Sequence, residues 1–516
     1  ANRVAGFRAK GRSMNTARRS LTAAVAGVLF LLALVLAFAG CGGKGHGSGF
    51  GENGPNGAGP SAPNGSDGGT GIDGGTPVGP FGEGGGPFDA TQPGPCSGLQ
   101  CQIHACSGGA STTISGKVFD PAGKNPLYNI VVYVPNAMPS PFKSGVSCDS
   151  CGDLYTGTPI ATALTDATGA FKMTNAPDGT NIPVVVQVGK WRKQITLPSV
   201  TQCQDNPQMD GTLRLPKNHM EGDIPNIAIA TGGADTLECL LTRVGLDPGE
   251  YGAGAGGAGR IHIFQGDGFL GGAPNTNPLA PDPATSLWDS ATDIDQFDIV
   301  IMSCEGHETT SMNQQVLFDY AGAGGRVFAS HFHYAWFNTG PFGGQNLATW
   351  SPGSNSMNPN PLMANIVTTL PNGQPFPKGQ ALDAWLGTVN ALTGGELPVQ
   401  DGRHNADVGA ANTPSQSWIV ADQSANPAGA TMYFSFNTPL AAAPAMQCGR
   451  VVFSDLHVGA ASMDYFGQFP QICPTGCANN ALSPQEKALE FMLFDLSSCV
   501  TPNNMPPQPP PPQQPK

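Results

Sequence analysis

Three apolar runs in this chain each end in residues that can bind a metal or move a proton. "FDIVIMSC" gives way to Ser303, Cys304, Glu305, Gly306, His307 and Glu308. "RVFASHFHY" carries Ser330, His331 and His333, and "GRVVFSDLHVG" carries Asp455 and His457. The chain has nine histidines, and four of them fall at these three ends. Residues spaced i, i+2 on a strand share a face, which would point His331 and His333 the same way, and Asp455 with His457.

Two chemistries suit such a set. His331, His333 and His457, with one or more of Glu305, His307 and Asp455, could hold a divalent ion; imidazole with carboxylate suits zinc or iron. A metal-bound water would then be activated for hydrolysis. Alternatively, the same groups could line a polar pocket for a sugar or peptide, or be hydrogen-bonded loop residues with no ligand. No HExxH signature is present. "ATGGAD", Ala230 to Asp235, lacks the GxGxxG pattern, so a tight strand-to-helix turn and no nucleotide cofactor is expected there. Cys304 directly follows a strand, as a nucleophilic thiol might be placed, but an even cysteine count favours a disulfide for it.

The elements that must position these groups run from 224 to 500. "IPNIAIATGG", "GRIHIFQG", "FDIVIMSC", "RVFASHFHY" and "GRVVFSDLHVG" read as buried strands. Between them, "ADTLECLLTRVGL", "TSMNQQVLFDYAGAGG" and "SPQEKALEFMLFDLSS" have helical spacing. Ser483, Pro484 and Glu486 form a capping signal for the last helix. The pattern predicts an α/β domain with an open parallel sheet and helices on both faces, with ligands outside the carboxyl ends of the strands. A long irregular insertion, about 338–415, carries Phe342, Trp350, Phe376 and Trp385, which should pack onto the domain and could cover the crevice.

Residues 112–216 have strand patterning only. "TTISGKVFD", "LYNIVVYVP", "IATALTDATGAFKMTNAP" and "NIPVVVQVGKWRKQITL" are strands between turns at Asp120–Gly123 and Asp166–Gly169. A small antiparallel β-sandwich is expected, with Asp120 and Asp166 as turn residues. The basic run "GKWRKQ" reads as a charged strand edge or a ligand contact.

The first forty residues read as a signal peptide. Arg3, Lys10, Arg12, Arg18 and Arg19 precede "LTAAVAGVLFLLALVLAFAG" and then Cys41. Met14 could be the true start. Residues 41–95 follow as a glycine-rich tether that cannot bury a core and reaches roughly 40 Å. A short cysteine-rich linker, 96–111, leads into the sandwich, and 501–516 is a proline-rich tail.

Of thirteen cysteines, setting Cys41 aside leaves twelve: Cys96, Cys101, Cys106, Cys148, Cys151, Cys203, Cys239, Cys304, Cys448, Cys473, Cys477 and Cys499. In an exported chain these predict six disulfides of unassigned pairing. A zinc knuckle among Cys96, Cys101, His104 and Cys106 is the lesser alternative. Net charge is −13 with 12% charged residues and no basic stripe, which excludes a nucleic-acid footprint.

Several motifs resemble known families. "FAGC" resembles the lipobox of bacterial lipoproteins, with Phe38 where Leu is usual. The resemblance implies a diacylglyceryl lipid on Cys41 and, with Gly42 following, an outer-membrane address. "SGKVFDPAG … ALTDATGAFKMTNAP" is similar to the carboxypeptidase-regulatory-like family, a prealbumin-like sandwich without catalysis of its own. The match falls on Gly116, Val118, Asp120, Thr165, Asp166, Gly169 and Phe171.

"DQFDIVIMSCEGHE … LFDYAGAGGRVFASHFHY … CGRVVFSDLHVG" resembles the flavodoxin-like class I glutamine-amidotransferase fold, in its ThuA-like branch. Phe297, Asp298, Val300, Tyr320, Gly324, Gly325, Val327 and His457 carry that likeness. Ser330 and His331 stand where an amidotransferase has its cysteine, so glutaminase chemistry is not implied. "GKNPLYNIVVYVPN … IPNIAIATGGADTLECLL" is similar to a family of large myxobacterial surface lipoproteins. Some members of it carry the label "tryptophan synthase alpha chain", which an exported, cysteine-rich chain with a β-sandwich does not support.

Together these readings make the chain a cell-envelope lipoprotein with a binding, structural or adhesion role. Its partners would be the membrane through its lipid and a glycan, peptide or protein at the envelope. A metal-dependent hydrolase and a subunit of a self-assembling surface structure are the alternatives.

Overall fold

The computed structural model describes residues 96–267, 279–280, 282–458, 473–477 and 479–513. The expected signal peptide, Met14, Cys41 and the tether lie outside the described residues. So does Gly459 with the segment after it.

The N-terminal part forms two facing sheets. Its strands are β1 (Thr113–Phe119), β2 (Val131–Pro135), β3 (Pro159–Leu164), β4 (Ala170–Thr174), β5 (Gly179–Val188), β6 (Trp191–Val200), β7 (Asp205–Pro207) and β8 (Leu213–Arg214). One sheet runs β4–β1–β7 with β8 also on β1; the other runs β3–β2–β5–β6. Ile114, Val118, Phe171 and Met173 of the first meet Val132, Val134, Val184 and Val186 of the second in a dry core. Asp120 and Asp166 are turn residues. The Asp120 carboxylate accepts from the Lys124 N–H at 2.7 Å, and that of Asp166 from Thr168 N–H at 2.7 Å.

The remainder forms a ten-stranded sheet. Its strands, in chain order, are β9 (Ile227–Ala230), β10 (Tyr251–Ala253), β11 (Ile261–Phe264), β12 (Ile299–Met302), β13 (Arg326–Ser330), then β15 (Leu362–Ile366) and β16 (Leu397–Val399). They are followed by β18 (Ser415–Ala421), β19 (Thr431–Thr438) and β20 (Gly449–Ser454). A separate two-stranded ribbon pairs β14 (Thr349–Trp350) with β17 (Ala406–Asp407). The large sheet is ordered β10–β11–β9–β12–β13–β20–β19–β18–β15–β16.

The expected parallel sheet accounts for six of these ten strands. β10, β11, β9, β12, β13 and β20 are parallel, but β19, β18, β15 and β16 are antiparallel. The links β18 to β19 and β19 to β20 are too short for the crossover that a parallel pair needs, so those strands must turn back. The insertion expected to be irregular thus supplies β14–β17 and the helix Pro377–Thr388.

Helices cover both faces of the large sheet. On one face, Leu317 and Tyr320 of the helix Gln314–Gly322 join Phe297, Phe434, Phe436 and Phe453. On the other lie the helices Leu237–Val244, Pro377–Thr388 and Pro484–Ser497, and their core is continuous with that of the sandwich. The last helix starts as its sequence requires: Ser483 Oγ accepts from Glu486 N–H, and the Glu486 carboxylate accepts from Ser483 N–H at 2.7 Å.

The sandwich is seated on that helix and on Pro377–Thr388. Trp191 meets Phe494 edge-on at 5.8 Å, Tyr128 stacks on Phe491 at 5.6 Å, and Trp385 Nε1 donates to the Pro126 carbonyl at 2.6 Å. Gly189, at the β5–β6 turn, has φ +54°, and a Cβ there would lie 1.9 Å from the Ser497 carbonyl. Only glycine lets the hairpin tip reach the helix end. Two disulfides, Cys148–Cys448 and Cys151–Cys499, fasten the same junction.

Cys96–Cys101, Cys106–Cys203 and Cys239–Cys477 complete a set of five disulfides among the described residues. The expectation of six, with Cys304 and Cys473 included, is corrected: both are buried free thiols. Cys304 is held among histidines at a strand end, where no cysteine is in reach. Cys473 sits beside the Cys239–Cys477 bridge, whose sulfurs are already satisfied. The pairing also uses Cys96, Cys101 and Cys106 in bridges, which removes the zinc-knuckle alternative. Among the described residues, no helix is long and apolar enough to cross a membrane.

Candidate metal centre

β9, β12, β13 and β20 lie side by side, in parallel, with every residue but Arg326 buried. Strands this apolar and this buried are driven to the middle of a layered domain, and their polar successors then emerge on one common edge. There Cys304, His331 and His457 converge. Each offers a ligand atom within 4.8 Å of the other two, and all three are buried.

Close backbone passage makes room for them. A Cβ on Gly232 would sit 2.1 Å from the Cys304 carbonyl, so this position of "ATGGAD" requires glycine for the backbones to pass. Asp235 then ties the edge together, accepting from Ser330 Oγ at 3.0 Å and from Val458 N–H at 2.9 Å.

His331 has φ +40°, in the left-handed region. Such a conformation costs a bulky residue about 1–3 kcal/mol and persists only where its surroundings enforce it. Here β13 stops at Ser330, and His331–Trp336 wind into a 3-10 turn. The expectation that His331 and His333 share a face therefore fails. A three-residue period sends positions two apart in different directions. His333 instead turns back on the Ser330 carbonyl, at 3.2 Å.

The two converging histidines are oriented alike. His331 Nε2 lies 3.3 Å from the Ser354 carbonyl, which can only accept, so the proton is on Nε2 and the Nδ1 lone pair faces Cys304 Sγ at 3.3 Å. His457 Nδ1 lies 3.2 Å from Asp401 Oδ2, which leaves its buried Nε2 for the Cys304 side of the cluster. Asp401 is in turn held by Arg403 Nη2 at 2.8 Å. Metal-binding histidines characteristically give their second nitrogen to a carbonyl or carboxylate in this way, which fixes the tautomer.

Electrostatics separate the two rings. Burial, helped by the neighbouring His457 and Arg403 charges, holds His331 far below the usual imidazole range. Burial also opposes charge on His457, but the bonds to Asp401 and to Cys304 outweigh it and raise that ring well above the usual value. His333 is pushed down to about 4, chiefly by burial.

The other expected ligands go elsewhere. β20 ends at Ser454, and Asp455 Oδ2 accepts from Asn405 N–H of the insertion at 2.8 Å. Burial raises the Asp455 carboxyl to about 7. Glu305 and His307 join Asp267 in a second cluster within 4.8 Å; His307 Nε2 lies 3.5 Å from Asp267 Oδ2, and Glu305 Oε1 accepts from Asp267 N–H at 3.1 Å. Burial raises the Glu305 carboxyl. Cys239, Cys473 and Cys477 form a third group. The clusters of Cys, His, Asp and Glu can thus coordinate a metal ion, with zinc or iron the fitting choices.

Sequence reasoning found His331 and His457 but missed three of their partners. Cys304 had been assigned to a disulfide. Ser354 and Asp401 lie in the insertion, and nothing in their local sequence marks them.

No known protein family matches the chain, and no curated protein does. Solved structures give remote, partial similarities. A C-terminal interface mutant of a type II cohesin–X-dockerin complex from Acetivibrio cellulolyticus is 16% identical, with a TM-score of 0.15, over 24% of this chain and 78% of that one. The N-terminal interface mutant of that complex is 15% identical, with a TM-score of 0.16, over 26% and 85%. A 9R-lipoxygenase from Cyanothece PCC8801 is 16% identical, with a TM-score of 0.13, over 20% and 17%.

Proposed function

We propose that this chain is an exported, lipid-anchored, metal-dependent hydrolase acting on an envelope or extracellular substrate. The observation that carries it is the arrangement of Cys304, His331 and His457. One soft thiolate and two imidazoles, each imidazole fixed from behind, make a three-ligand set suited to zinc. A fourth position would go to water, which zinc activates near neutral pH.

Export is supported by the leader-like first forty residues, the lipobox-like Cys41 and the five disulfides, which persist in oxidising compartments. In this reading the carboxypeptidase-regulatory-like sandwich is a spacer, and the amidotransferase-like, ThuA-like sheet has exchanged the thiol at its usual turn for His331. The likeness to myxobacterial surface lipoproteins fits the same address.

The test is elemental analysis of chain purified without chelator or affinity metal. About one zinc per chain is expected, lost in Cys304→Ser and in His331→Ala, with ester, amide and glycan hydrolysis then assayed on the loaded protein. Metal-free wild type with native circular dichroism would overturn the proposal.

A further inference from the structure

Away from the candidate metal centre, the loops at the opposite edge of the large sheet enclose a groove of about 740 Å³. The strand register gives its position. Asn437 on β19 pairs with Arg450 near the start of β20, and Ser415 of β18 pairs with Phe436; His457 follows the other end of β20. The groove and the cluster are therefore at opposite ends of the same strands.

Its chemistry is unusual for its size. Ligand pockets occupy about 300–1,000 Å³ and mix apolar walls with a few placed polar groups. Here no lining residue is ionisable and none is aromatic. Carboxamides dominate the polar part: Asn372, Gln416, Gln447, Asn503 and Asn504 all line it. Several still have bonding capacity. Asn372 spends its Oδ1 on Gln374 N–H, while Gln416 and Gln447 spend their Nε2 groups on backbone carbonyls. Among the described residues, nothing engages Asn372 Nδ2, the Oε1 atoms of Gln416 and Gln447, or the side-chain amides of Asn503 and Asn504. Leu370, Pro414 and Leu440 supply apolar wall.

We infer that this groove binds a neutral oligosaccharide. A side-chain amide offers a donor and an acceptor side by side, which matches adjacent sugar hydroxyls. A charge-free lining admits such a ligand without desolvating an ion, and it gives an anionic or cationic ligand nothing to pair with. The usual peptide-binding modes fit it poorly: strand addition needs an open strand edge, polyproline segments need aromatic walls and an amphipathic helix needs a mainly apolar groove, whereas this one is built from loops and strand ends, has no aromatic residue and is rich in carboxamides. The site would hold the exported chain on a neutral glycan, and it does not depend on the metal centre.

The probes are hexamers of β-1,4-linked glucose, of β-1,4-linked N-acetylglucosamine and of mannose, with hexagalacturonate as the charged control. Binding to the full chain is read by saturation-transfer NMR and calorimetry. At least one neutral hexamer should bind and hexagalacturonate should not. The double variant Asn503→Ala/Asn504→Ala, in an irregular segment after the last helix, should weaken binding about tenfold. Gln447→Glu should weaken it too. The inference is overturned if no neutral hexamer binds, if hexagalacturonate binds equally well, or if a folded double variant keeps full affinity.

Discussion

His457 Nδ1 lies 3.2 Å from Asp401 Oδ2, a contact that joins the end of β20 to a loop 56 residues earlier in the chain. Because Nδ1 is engaged, Nε2 is the nitrogen left for the Cys304 side of the cluster. Asp401 thus selects which face of the ring can serve as a ligand. Its carboxyl is half-buried, which alone would raise its pKa, but His457 and Arg403 hold it below the usual range.

Asp401→Asn should keep the fold and weaken metal binding about 10–100-fold, because the amide no longer fixes the ring or raises its basicity. Competition against a chromophoric chelator measures this directly. Equal affinity in the variant would remove His457 from the ligand set.

A second buried acid should make stability fall with pH. Glu490, on the last helix, is raised well above the usual carboxylate value by burial and then by the Asp120 charge; burial raises Asp120 as well. Asn125 Nδ2 donates to Glu490 Oε2 at 2.6 Å across the same junction. Both folded values exceed the unfolded ones, so the folded chain holds more protons. The pair contributes fully below the ordinary carboxylate range, and its contribution is lost as pH rises towards the raised Glu490 value. Urea midpoints between pH 5 and pH 9 should decline in wild type and decline less in Glu490→Gln. Parallel declines would disprove the assignment.

The junction disulfides should matter more than their number suggests. Cys148–Cys448 and Cys151–Cys499 close sequence separations of 300 and 348. Replacing both cysteines of the first by serine should cost about 2–4 kcal/mol in non-reducing denaturation. A loss near zero would show that packing alone holds the sandwich on the helix.

Trp191 is, with Trp385, one of two fully buried tryptophans at that junction, and its Nε1 donates to Ser497 Oγ at 3.2 Å. Trp191→Ala removes its contact with Phe494 and leaves a cavity, so a loss of about 3–5 kcal/mol is expected. Chemical denaturation followed by far-UV circular dichroism would detect it.

Much of the architecture follows from local pattern. Alternation and turn residues such as Asp120, Asp166 and Gly169 mark the sandwich strands, because strand faces and turns are set by neighbours a few residues apart. Ser483, Pro484 and Glu486 mark the last helix for the same reason. The polar ends of β12, β13 and β20 are also legible, since a continuous apolar run followed by His and Cys is visible in one dimension.

Other features were decided only when the chain closed on itself. The antiparallel part of the sheet depended on which strands β18 and β19 found as neighbours, and single-strand patterns do not encode a partner. The strand read from Arg326 to Tyr334 ended at Ser330, because the backbone turns into a left-handed conformation at His331. Cys304 was claimed for a disulfide by cysteine parity, yet it lies against His331, while Cys473 is left over beside a complete bridge. Residue types and local spacing set by the sequence determined which groups could do chemistry. Tertiary structure alone decided that Cys304, His331, His457 and Asp401 would meet, because ligand geometry depends on distances between segments that share no local signal.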